Sequence, residues 1–251
     1  MYERTSLAGA RAIPGESVAP SATLPYLRKV YGLFTGGVMS AIAGGLLALY
    51  AGVPVEAHTA AGTVAIPPLV AFVTTHYIVA MVLYFGAFFV ASSMRRTPGL
   101  NVVALAGYTF VTGLFVAPSI FFAQAMASHG ATLDPSPVRD AFLLTGASFT
   151  GLTSYVLISK KDFSFLGASL SMGLWVVLGA MLLSIFVHSA ALSLAIASVG
   201  VLLFSGYILY DTSRILRDPV EDAVSAALRL FLDVVNLFLF LLRILSSSRS
   251  R

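Results

Sequence analysis

The chain has 251 residues, 58% hydrophobic and only 10% charged, with a mean hydropathy of +0.91. Soluble domains carry roughly 25% charged residues, so a soluble globular fold is excluded and an all-α, polytopic membrane protein is expected. The net charge of +4 does not indicate nucleic acid. Its basic residues fall as pairs in short loops between apolar runs, the pattern that orients helices in a bilayer. The absence of cysteine excludes disulfides, thiolate metal sites and cysteine nucleophiles.

Residues 1–24 are rich in Ala, Ser, Pro and Gly and contain no apolar run. They read as a disordered N-terminal tail, without the hydrophobic core of a secretory signal. The remainder, 25–251, reads as one transmembrane domain. About 20 apolar residues cross a bilayer, and seven segments are long enough: 27–52, 69–93, 100–126, 140–159, 164–187, 190–216 and 222–245. Pro67 and Pro68 precede the second. Pro118 falls inside the third, where a missing backbone donor is expected to kink or end the helix. Asp162 is placed to cap the start of the fifth.

Arg28 and Lys29, Arg95 and Arg96, Lys160 and Lys161, and Arg214 and Arg217 fall on one side if the segments alternate, whereas the opposite loops between helices hold only Arg139. The N-terminus is therefore expected in the cytoplasm. Seven crossings then leave Arg249 and Arg251 outside, against the rule; full crossing is favoured over a re-entrant last segment. The frequent glycines, such as Gly44, Gly45, Gly107 and Gly113, read as packing faces where helix backbones approach closely.

The unusual stretch is Phe204 to Arg243, two apolar runs joined by a charged turn, with Asp211 in the first and Asp233 in the second. An ionised carboxylate near a helix centre costs about 2.5–3.5 kcal/mol even on lenient insertion scales. Such acids face a protein interior or water and mark a functional site. Positions 229, 233, 236, 240 and 243 share about 80° of arc at 100° per residue. One stripe therefore carries Arg229, Asp233, Asn236, Phe240 and Arg243. Tyr207, Asp211 and Arg214 share a face of the preceding segment. At about 1.5 Å per residue, Asp211 lies roughly 10 Å and Asp233 roughly 18 Å from the turn, an offset that helix tilt can close. If the two meet in a poorly solvated site, they share a proton and titrate as a unit. Deprotonated, they attract a cation or a guanidinium. Two aspartates helped by Asn236 or Thr212 make a poor cage for Ca²⁺, which wants six to eight oxygens, and so fit transient passage rather than storage. The alternative is local pairing of Asp211 with Arg214 and of Asp233 with Arg229 as salt bridges that serve assembly only.

At SGYILYDTSRIL, LRLFLDVVNLFLFLLRIL and SKKDFSFLGASL, the chain resembles the Bax inhibitor family (transmembrane Bax inhibitor motif), which has bacterial members. The likeness runs over about 27–245. It implies a seven-transmembrane-helix bundle with the last helix central, in a bacterial inner membrane. It also implies a pH-sensitive calcium leak governed by two aspartates, which match Asp211 and Asp233, with calcium as the transported ion and no cofactor. In bacterial members an arginine ending the second helix latches onto the acids. The matching SSMRRT motif points to Arg95, with Arg96 the weaker match; for both, a positive-inside anchor is the competing reading. An acid found midway along the second helix in some members has no counterpart in YIVAMVLYFGAFF. The KKDFSFLG stretch also resembles a branch that binds and restrains a membrane-anchored AAA protease, and such a partner is the second functional reading. His58, His129 and His188 lack metal-ligand spacing. No serine has a buried histidine partner nearby in sequence. The chain is therefore not expected to be an enzyme.

Overall fold

The computed structural model describes residues 20–59, 62–95, 97–128, 133–218 and 222–249. The expected apolar segments appear as helices α1 (Pro20–Tyr50), α2 (Pro68–Thr75), α3 (Tyr77–Met94), α4 (Leu100–Ala127), α5 (Ser136–Ser159), α6 (Leu166–Phe186), α7 (Ala190–Arg217) and α8 (Ala223–Arg249). The first helix begins at Pro20, inside the stretch read as tail; residues 1–19 lie outside the described ones. Among the described residues, six helices, α1 and α3 to α7, are long and apolar enough to cross a membrane.

Helix α8 is the hub. It packs against α1, α4, α5 and α7. Ala226, Ala227, Leu230, Phe231 and Leu237 have almost no exposed surface. Its first half closes a cluster with Val30, Phe34, Leu105, Tyr108 and Ile215. Its second half closes another with Ile196, Leu203, Phe204 and Ile208. With no hydrophobic drive between helices in lipid, close packing must supply the adhesion, and α1 and α4 show it most clearly. A Cβ added at Gly44 would collide with the Phe110 carbonyl oxygen, and one at Gly113 with the Ala41 carbonyl oxygen.

Four features differ from the sequence reading. The second segment is broken at His76, where Thr74 Oγ1 donates to the carbonyls of Val70 and Ala71 and competes with the helical ladder. The third is not ended by Pro118, which lies buried within a continuous α4; packed neighbours tolerate the lost backbone bond. An antiparallel hairpin, β1 (Val55–Thr59) and β2 (Gly62–Ile66), pairs Val55 with Ile66 between α1 and α2. Asp162 does not cap α6, whose N-cap is Phe165 with no side-chain bond.

Asp162 instead accepts the Ser164 N–H at 2.9 Å and faces Arg217 Nε at 3.5 Å. Bonds from the Ser164 hydroxyl and N–H, with the Arg217 charge behind them, hold its carboxyl below the usual carboxylate range. The same loop turns through Lys160 at φ 52°. It is fastened to α7, because Arg217 Nη2 donates to the Lys160 carbonyl at 2.9 Å and the buried Ser213 Oγ accepts the Phe163 N–H at 3.1 Å. Ser213→Ala leaves that donor unmatched and should cost about 1–3 kcal/mol, read as a lowered melting midpoint in detergent.

Candidate functional site: a buried acid pair

The turn between α7 and α8 makes the two helices antiparallel neighbours, so residues counted outward from it face each other at equal depth. Asp211, near the end of α7, meets Arg229, near the start of α8. The Arg229 Nε donates to Asp211 Oδ1 at 3.0 Å. Asp233 lies one turn deeper on α8, directly above Arg229, and Tyr207 one turn deeper on α7.

Both acids are buried, Asp211 with 3% and Asp233 with 5% of its surface exposed. The two carboxyl groups lie close enough to act on one another electrically. Asp233 Oδ2 is buried without a hydrogen-bond partner. Arg229 acts on both acids, directly on Asp211 and through space on Asp233. A guanidinium beside two buried carboxyls offsets their negative charge.

The other candidate residues fall as follows. Arg95 sits at the C-cap of α3 and lines a cavity of about 220 Å³ with Ser92, Ser225 and Arg229. It shares a chamber with the acids' arginine, and the guanidinium that touches Asp211 is Arg229. The physical reason is packing: α3 lies against α4, one layer away from α7. Arg96 falls outside the described residues. Asn236 Nδ2 donates to the Leu232 carbonyl at 2.7 Å and so is engaged on its own helix. Arg214 is exposed, one turn outward from the acids. Arg243, at the far end of α8, donates to Ser193 Oγ at 2.6 Å.

Sequence reasoning named Thr212, beside Asp211 in the chain, but missed two hydroxyls that join it. Tyr31 on α1, Thr153 on α5 and Thr212 on α7 gather together. Their oxygens are buried short of good hydrogen-bond geometry. Buried groups of this kind usually hold ordered water. Tyr31 and Thr153 stand alone in apolar helices, so nothing in their spacing ties them to Asp211. Among the described residues no group of three or more His, Asp or Glu converges.

The family described as "Inhibitor of apoptosis-promoting Bax1" matches residues 24–250, the whole bundle and the acid pair included. The chain belongs to the Bax inhibitor family. It is 33% identical to an uncharacterised protein of Campylobacter jejuni over 90% of both chains. It is 39% identical to protein lifeguard 4 of Mus musculus over 64% of both. A Golgi anti-apoptotic protein of vaccinia virus is 37% identical over 66% of both. The match to the last two thus spans about two thirds of their length. Within the Bax inhibitor family, then, this chain is an integral membrane protein with an acid pair between its last two helices.

Proposed function

We propose that the protein is a pH-sensitive, calcium-permeable leak in a bacterial inner membrane, with its N-terminus in the cytoplasm and its permeability set by the charge on Asp211 and Asp233. The burial of both acids on adjoining helices, with Arg229 bonded to Asp211, carries this reading. Near neutral pH the Asp211–Arg229 bond ties α7 to the start of α8. Protonation of both acids removes the charge that holds the guanidinium, so the tie loosens. The freed Arg229 side chain can then swing into the cavity it shares with Arg95 and uncover the acids from the basic end of the bundle. Ca²⁺ is the cargo here, touched briefly by oxygens and never caged.

The test is Ca²⁺ uptake into liposomes containing the purified protein, followed against pH. Wild type should show uptake that rises as pH falls. Asp211→Asn and Asp233→Asn should each flatten that profile, because an amide cannot change charge. Identical profiles for all three proteins would dispose of the mechanism.

A further inference from the structure

We propose that the groove between α1 and α5 is a binding site for one acyl chain of a membrane phospholipid, whose phosphate sits at Arg139. The groove has a volume of about 630 Å³ and lies on the other side of Phe34, Phe149 and Phe231 from the acid pair. Its walls come from α1, α4, α5 and α8, and its surface is almost wholly hydrocarbon. It opens sideways between Leu46 on α1 and Phe142 and Leu143 on α5, all three exposed.

Size decides what fits. From Phe34 to Tyr50 the groove follows α1 for about 24 Å at 1.5 Å per residue. The volume spread over that length leaves a mean cross-section of about 26 Å². A hydrocarbon chain, about 4–5 Å wide from carbon contact distances, fits lengthwise in a lane of that section. The length exceeds half of the ~30 Å hydrocarbon core, enough for a chain from one leaflet.

Polarity sets the direction. The groove's threonines, Thr35, Thr112 and Thr145, each bond a carbonyl of their own helix, whereas Gln124 and Arg139 lie where α4 ends and α5 begins, at the end of the bundle opposite Arg95 and Arg217. Arg139 is exposed, and its Nε donates to Asp140 at 3.0 Å, which leaves its terminal nitrogens to face the mouth of the groove. Arg139, in the first turn of α5, lies at the end of the bundle away from the paired cations, so it does not serve as a positive-inside anchor. A lipid phosphate at the membrane surface gives it a bidentate partner.

Two glycines make the test clean. A Cβ added at Gly146, on the groove wall, meets nothing within 4 Å, and the same holds at Gly86 on α3, away from the groove. Native mass spectrometry of the detergent-purified protein, with added dioleoyl phosphatidylglycerol or dioleoylglycerol, reads retained lipid directly. Wild type and Gly86→Leu should each hold one phosphatidylglycerol. Gly146→Leu, and Thr35→Leu from the α1 side, should reduce retention by about tenfold. Arg139→Ala should bring phosphatidylglycerol down to the level of dioleoylglycerol. Equal retention in wild type and both leucine groove variants would overturn the proposal, as would equal retention of the two lipids by wild type. A lipid-free dimer that Gly146→Leu dissociates would also overturn it, by placing a second copy in the groove.

Discussion

Arg229→Ala should be the most destabilising single change at the site, costing about 3–5 kcal/mol because it strands a buried charge at Asp211. The Arg229–Asp211 bond is 3.0 Å long, and the Asp211 side chain is only 4% exposed. Water therefore cannot take over the lost partner. Thermal unfolding in detergent at neutral pH reads the loss. Adding Asp211→Asn to Arg229→Ala should recover much of it, since removing both charges leaves no unmatched ion. Arg229→Lys should recover less, because an ammonium lacks the planar fork. If Arg229→Ala melts with wild type, the guanidinium is not holding the acids.

Gly113→Ala should come close to that cost by a different route. Its Cβ would run into the Ala41 carbonyl oxygen and stand 2.8 Å from the Gly45 nitrogen. Both are backbone atoms that no rotamer change can move aside. Overpacking of a tight contact typically costs about 1–3 kcal/mol, and the rigid obstacle puts this case at the upper end. Gly107→Ala, on the same helix with nothing within 4 Å of the new carbon, is the matched control and should melt at or above wild type. Similar midpoints for the two variants would mean that α1 and α4 do not depend on this backbone approach.

How far the sequence carried this far depends on what kind of force sets each feature. The spans were legible because bilayer thickness imposes a length of apolar residues. The polar face of α8 was legible because Arg229, Asp233 and Asn236 recur at helical spacing among Leu, Val and Phe. The meeting of α7 and α8 followed from their short turn. Which arginine would reach the acids did not follow. Arg229 and Arg95 carry the same charge, and only the packing of α3 onto α4 separates them. Tyr31 and Thr153 were hidden for a related reason, as single hydroxyls brought in by helices far apart in the chain. The break at His76 and the continuity of α4 through Pro118 depend on side-chain hydrogen bonds and neighbour packing, which local propensity does not contain. The KKDFSFLG stretch was noticed as a motif, but its work, fastening the α5–α6 loop to Ser213 and Arg217, needed the coordinates.

The account stands on the two acids acting as one titrating unit. Ca²⁺ flux through liposomes, compared for wild type, Asp211→Asn, Asp233→Asn and the double variant across pH, tests this directly. Groups that act as a unit are non-additive. The double variant should therefore match either single variant, with the same flat pH profile. Effects of the two substitutions that add in the logarithm of the flux would show two independent carboxyls and contradict the account.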